Sequence, residues 1–184
     1  FATFFADDWQ ETVEGPEHWA AAVRGRYRAS LGAEALAGRF HNGVEHNNVY
    51  GKGASVLQSL RVILGETSFW RGIRLYTARH QHSLVETDDV RRAMEEASGQ
   101  ELGWFFQQWV ELPAVPRLTV SHRWDGKLHV SVAQLVDADH PAFTLLIEVE
   151  AVRGTERIVQ SAWLTGGQLE LTVPLSGAPD YVSF

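Results

Sequence analysis

The chain has 184 residues, of which 45% are hydrophobic and 21% charged, and its formal net charge is -7 at pH 7. This composition is ordinary for a globular protein, and the negative charge gives no reason to expect nucleic acid or an anionic membrane as a partner. Cysteine is absent, which excludes disulfides and thiolate metal sites, and no apolar run reaches the length of a membrane span.

The first part of the chain has helical periodicity. Residues 1 to about 11 predict a helix with Phe4, Phe5 and Trp9 among its apolar positions, and Gly15-Pro16 ends it. Pro16 suits the first turn of a second helix, which has Arg24, Arg26 and Arg28 on its solvent side and Trp19, Ala20, Val23 and Tyr27 as its apolar set. Residues 38–48 lose the periodicity and predict a loop.

A third helix is predicted from an Asn47 or Asn48 cap to Gly65. Its apolar positions recur at i, i+3/i+4 and i+7, which places one set on a buried face: Val49, Gly53, Val56, Leu57, Leu60, Ile63 and Leu64. Two glycines in its opening turn each cost about 1 kcal/mol relative to alanine. They indicate a close backbone approach or a need for a missing side chain.

Tyr50 stands beside these glycines. A tyrosine phenol is neutral at pH 7 and is a competent hydrogen-bond donor. On spacing alone, Tyr50 also suits an ordinary half-buried aromatic side chain on a helix that packs through small residues.

Three further helices are predicted before the pattern changes. The first starts at Thr67 or Ser68, and Thr87 caps the second, which has Asp88 and Asp89 in its positive first turn and ends at Gly99. The third is short and presents an aromatic face formed by Leu102, Phe105, Phe106 and Trp109. Core packing is the simplest role for that face.

Pro113 and Pro116 mark a boundary, beyond which the period changes from 3.6 to 2. Asp125-Gly126 predicts a hairpin across which His122 and His129 face each other. Alternating apolar residues then predict strands at 128–132, 143–151, 158–164 and 169–173 and a closing strand at 181–184. This spacing is typical of an antiparallel sandwich, so we expect an α+β chain with a helical domain at 1–113 and a β-sandwich at 114–184.

No H-E-x-x-H zinc motif exists among the 184 residues. His41, Glu45 and His46 could approach a metal, but their spacing matches no established arrangement. His80 and His82 are two residues apart and fall on different helix faces. We therefore predict no metal site in this chain, and a structural or surface role for its histidines.

Tyr50-Gly51-Lys52-Gly53-Ala54 resembles the Y-x-K-G-A segment of the aminopeptidase N and leukotriene hydrolase family of zinc metallopeptidases (the gluzincin aminopeptidases). Phe1-Ala2-Thr3-Phe4-Phe5 resembles the residues that follow the family's third zinc-ligand glutamate. Further landmarks follow in the family's order: Gly65-Glu66 with Phe69, Asp88-Asp89, Ser98-Gly99, Leu102 with 104–109, and 116–120.

The resemblance implies the helical C-terminal lobe of a thermolysin-like catalytic domain followed by the family's sandwich domain. It implies that the zinc ligands and the general base lie upstream of Phe1, so the isolated chain is expected to be zinc-free and inactive. Of the family's catalytic residues it carries over Tyr50, the hydrogen-bond donor to the oxyanion formed at the scissile carbonyl of a peptide. Lys52 and Gly53 match the motif as supporting residues.

Three interpretations remain open at this stage. The chain belongs to a zinc aminopeptidase that removes N-terminal residues from peptides, it is a non-catalytic scaffold with the peptidase fold, or it is an unrelated helical domain with an appended sandwich. A helical lobe without the rest of its domain would expose apolar surface, so we also expect self-association. We expect a soluble protein of undecided compartment, with the cytoplasm favoured.

Overall fold

The computed structural model describes residues 1–15, 36, 48–138 and 140–184. The second predicted helix, residues 38–47 of the predicted loop and the group His41, Glu45 and His46 lie outside the described residues. The chain divides into two compact units, a helical unit (Phe1–Pro113) and a β unit (Ala114–Phe184). Among the described residues, no helix has both the length and the apolar character needed to cross a membrane.

The described part of the helical unit contains α1 (Ala2–Glu14), α2 (Asn48–His80), α3 (Thr87–Ser98) and α4 (Gly103–Phe106), which continues as a π-helical turn (Gln107–Glu111). Gly65 has φ 74° and ψ 159°, so α2 is two helices joined at a kink. The predicted end at Gly65 is confirmed. The next helix follows directly, and Glu66 accepts hydrogen bonds from Arg61 (2.6 Å) and Trp70 (2.8 Å) on either side of the kink.

The prediction that Thr87 caps α3 is wrong, since the cap is Glu86, one residue earlier. The backbone N–H of Glu86 donates to the carboxylate of Asp89 at 2.9 Å, which fixes the start of the helix. The predicted end at Gly99 is confirmed. Gly99 adopts the left-handed conformation, and its N–H donates to the carbonyl of Glu95 at 2.7 Å.

α2 and α3 cross closely at Gly72. A Cβ atom built there would lie 2.4 Å from Sδ of Met94, so any side chain at position 72 would force Met94 to move. Around the crossing lies a core dominated by aliphatic and aromatic side chains, among them Phe4, Leu60, Phe69, Met94, Leu102 and Phe105. The core-packing role predicted for the aromatic face of the last helix is confirmed for Phe105 and Phe106, which are 0% and 6% exposed.

The β unit contains two three-stranded antiparallel sheets. One has the order β1-β2-β5 and the other β4-β3-β6, with the bounds β1 (Leu118–Trp124), β2 (Leu128–Gln134), β3 (Leu145–Arg153), β4 (Glu156–Leu164), β5 (Gln168–Val173) and β6 (Tyr181–Ser183). Inward residues of both sheets form one core that includes Val130, Val149 and Val173. This two-layer arrangement confirms the expected α+β class.

The predicted pairing of His122 with His129 is wrong. Trp124 pairs with Leu128, so three residues close the hairpin between β1 and β2, where the Asp-Gly signal suggested two. The extra residue shifts the register by one position. His129 therefore pairs with Arg123, and its Nε2 lies 2.9 Å from a carboxylate oxygen of Asp125.

Candidate functional site

Tyr50 lies in the first turn of α2, and its side chain is 54% exposed. Ala54 and Leu57 follow at i+4 and i+7 and therefore share its side of the helix. Both are buried, at 7% and 8% exposure. Tyr50 is thus the first member of a row whose next two members are buried, and its own phenol is not covered by the described residues. In this position it is accessible to a ligand as a hydrogen-bond donor.

Lys52 is only 5% exposed, which is rare for a lysine. It shares an i, i+4, i+8 row with Val56 and Leu60, both buried, so it lies on the core side of α2 and away from Tyr50. Burial lowers the pKa of its ammonium group, because the low-dielectric surroundings disfavour the charged form. The motif predicted only a supporting role for Lys52, although its spacing with Val56 and Leu60 was a usable signal of burial.

Gly53 has a helical backbone, and no described atom lies within 4 Å of a Cβ atom built on it. The close backbone approach that the sequence suggested is therefore not made by the described residues. Gly53 instead lines a cleft of about 950 Å³.

The cleft lies within the helical unit, and much of its lining is apolar, including Val56, Leu57, Val90, Phe106 and Val110. Glu86 and Asp88 are the described lining side chains that are charged at neutral pH, and both are acidic. Tyr76 also lines the cleft, and burial together with the nearby carboxylate of Asp89 raises the pKa of its phenol. A volume of this size is typical of clefts that bind small ligands.

The described residues contain no group of three or more His, Cys, Asp or Glu side chains that could hold a metal ion. A zinc site needs three or four such ligands around one point. The described part of the chain therefore does not fit a catalytic zinc, and His41, Glu45 and His46 lie outside it.

Residues 41–109, which include Tyr50, Lys52 and Gly53, match the model of the peptidase family M1 domain. The segment around Tyr50 is therefore similar to part of that domain. Aminopeptidase N of Escherichia coli (strain K12) is 39% identical over 82 residues, which are 42% of this chain and 9% of the relative. Puromycin-sensitive aminopeptidase of Caenorhabditis elegans is 32% identical over 119 residues, which are 59% of this chain and 13% of the relative.

The crystal structure of Legionella pneumophila aminopeptidase A in complex with aspartic acid has a similar fold, with a TM-score of 0.77 and 15% identity. The superposition covers 96% of this chain and 21% of that chain. These comparisons confirm the family resemblance read from the sequence. The chain spans only a small share of the length of the proteins that it resembles.

Proposed function

We propose that this chain is the part of an aminopeptidase that supplies a hydrogen-bond donor, the phenol of Tyr50, to the reacting carbonyl of a peptide substrate. The observation that carries the proposal is the exposure of Tyr50 at the start of a helix whose next turns are buried. The matched family segment 41–109 includes this helix start, and the relatives are aminopeptidases by name.

The phenol suits this role chemically. When a nucleophile attacks a peptide carbonyl, negative charge develops on the oxygen, and a fixed O–H donor stabilises that charge more than it stabilises the ground state. One such donor contributes about 3 to 4 kcal/mol to lowering the barrier. The neutral phenol keeps its proton at pH 7 and needs no other group to prepare it.

Lys52 and Gly53 support Tyr50 in this proposal without contacting the reacting atoms. The side chain of Lys52 lies on the core side of the same helical turn, so its buried stem ties the exposed helix start to the helical unit. The family that the sequence resembles is zinc-dependent. The described residues provide no ligand set for that ion. In the proposal, other parts of a longer protein hold the zinc, and this chain alone is zinc-free and inactive.

The deciding experiment replaces Tyr50 by Phe in the full-length protein that contains this chain. Removal of one oxyanion donor should lower kcat by about 10²–10³-fold while KM changes little, because the donor acts in the transition state. Tyr181→Phe is the matched control, since Tyr181 has a similar exposure of 57% and lies in the β unit. Turnover of Tyr50→Phe at the level of this control would remove Tyr50 from the mechanism.

The alternative function is a non-catalytic scaffold that keeps the peptidase fold. Reading the residues encoded upstream of Phe1 separates the two, because the enzyme requires an H-E-x-x-H motif and a third glutamate there. Metal analysis of the 184-residue chain adds a second check. Stoichiometric zinc would contradict the proposal and direct attention to His41, Glu45 and His46.

A further inference from the structure

Three glycines within helices of this chain differ in what surrounds them. At Gly72 a side chain is excluded, because a Cβ atom would meet Sδ of Met94 at 2.4 Å. At Gly53 and at Gly103, the first residue of α4, no described atom lies within 4 Å of the added Cβ. Neither Gly53 nor Gly103 has a positive φ. Packing among the described residues and backbone conformation therefore explain Gly72 but not Gly53.

Gly53 differs from Gly103 in its position on the molecule. Gly53 lines the cleft, and it lies three residues after Tyr50 on the same side of α2. Glycine is the poorest helix former after proline, so alanine at position 53 would favour the helix. Gly53 weakens the helix and opens onto the cleft. Its missing side chain leaves room for a ligand.

The lining of the cleft indicates what that ligand is. Val56, Leu57, Phe106 and Val110 form an apolar surface that suits an aliphatic or aromatic side chain. Among the described lining side chains, those charged at neutral pH are the carboxylates of Glu86 and Asp88, and Asp88 is also paired with Arg91 and Arg92. An anionic group next to the ligand's apolar side chain would be repelled, whereas a neutral or cationic one would be accepted.

We propose that Gly53 is a specificity-determining residue, whose missing side chain admits an apolar side chain of a peptide to the cleft beside Tyr50. This inference rests on the proposed function, since it takes the ligand to be the peptide substrate. A methyl group at position 53 would take up space at the wall of the cleft that Gly53 forms. It would therefore obstruct the peptide, while meeting no atom of the described residues within 4 Å.

The first arm of the test measures the thermal unfolding of the 184-residue chain. Gly53→Ala should raise Tm by about 2–4 °C through better helix propensity, and Gly72→Ala should lower it because Met94 has to move. A lower Tm for Gly53→Ala would mean that another part of the protein packs against Gly53. That result would overturn the proposal.

The second arm titrates the same chain with the dipeptide amides Leu-Ala-NH₂ and Leu-Glu-NH₂ and follows backbone chemical shifts. Leu-Ala-NH₂ should bind more tightly than Leu-Glu-NH₂. Gly53→Ala should weaken its binding about tenfold, since an obstructed methyl-sized space is worth this factor. Gly103→Ala is the matched control and should leave binding unchanged.

Absence of Leu-Ala-NH₂ binding, shifts away from the cleft, or equal binding by Gly53→Ala and Gly103→Ala would each overturn the proposal. Failure of the proposed function is a separate outcome, because it appears as normal turnover by Tyr50→Phe in the full-length protein. The titration does not depend on turnover. The two results are therefore distinguishable.

Discussion

Strand β2 of the β unit and helix α1 of the helical unit differ in how far their apolar side chains are buried. In the β unit, β2 alternates buried and half-buried residues along its whole length, and Leu128, Val130 and Val132 are fully buried. In the helical unit, one row of α1 remains uncovered by the described residues. Its members recur every four residues and are 37% to 63% exposed: Phe1, Phe5, Trp9 and Val13.

Each unit also buries a polar or charged side chain. In the β unit, Nε2 of Gln134 donates to the carbonyls of Phe143 (3.0 Å) and Gly166 (3.1 Å), and its Oε1 accepts from the N–H of Phe143 (2.8 Å). Lys52 of the helical unit is buried with a lowered pKa. The core of the β unit is thus closed around β2 and Gln134, whereas the helical unit combines an uncovered row on α1 with the cleft and the exposed phenol.

The largest effect on stability is expected where the β unit is most closed. Gln134→Leu leaves the N–H and the carbonyl of Phe143, together with the carbonyl of Gly166, without their side-chain partner. Each buried unsatisfied group costs about 1–3 kcal/mol, so the free energy of unfolding should fall by roughly 3 kcal/mol. Urea unfolding monitors it, with the exposed Gln168→Leu as a control that changes little. Equal stability of both variants would show that the Gln134 bonds are dispensable.

A smaller effect is expected at the contact between α1 and α2. Arg61 donates to the carboxylates of Asp8 (3.1 Å), Glu11 (3.2 Å) and Glu66 (2.6 Å), and its side chain is only 13% exposed. Arg61→Ala should lower the free energy of unfolding by about 1–2 kcal/mol, because the two helices lose their shared cation. Arg92→Ala, at 69% side-chain exposure, is the matched control. A loss at Arg92 as large as at Arg61 would contradict this assignment.

The Arg61 contribution should also depend on pH. The hydrogen bond from Arg61 lowers the pKa of Glu66, so the folded state binds a proton at Glu66 less readily than the unfolded state does. The ionised Glu66 therefore stabilises the folded state fully above the ordinary glutamate pKa of about 4.3. This stabilisation is lost as pH falls through the lowered pKa of Glu66. Unfolding of Arg61→Ala measured between pH 7 and pH 3 should lack this part of the acid dependence.

The smallest effect is expected on association. The exposed row of α1 should promote weak self-association of the 184-residue chain, and Trp9→Gln should reduce it, since Trp9 is 63% exposed at the centre of the row. Light scattering across a concentration series measures the mass, and Tyr181→Gln in the β unit is the control. A wild-type chain that stays monomeric at high concentration would refute this expectation.

The sequence by itself determined the features that depend on local chemistry. The period of 2 located the strands of the β unit, because side chains of a strand alternate between its faces. The kink at Gly65 and the end of α3 at Gly99 were predictable, because both backbones have a positive φ that glycine adopts readily. The motif around Tyr50 was also readable, because it is contiguous in the chain.

Only the tertiary structure decided which of these residues are covered. The loop between β1 and β2 has one more residue than the Asp-Gly signal suggested, so the register is shifted and His122 does not pair with His129. The sequence could not show this, because a turn signal does not set loop length by itself. The sequence does not show how much of α2 its neighbouring helices cover. That packing determines the exposure of Tyr50, the burial of Lys52 and the open space beside Gly53. Burial is a property of packing between elements. The sequence therefore indicated Tyr50 as a candidate residue, and the packing of the helices determined how exposed it is.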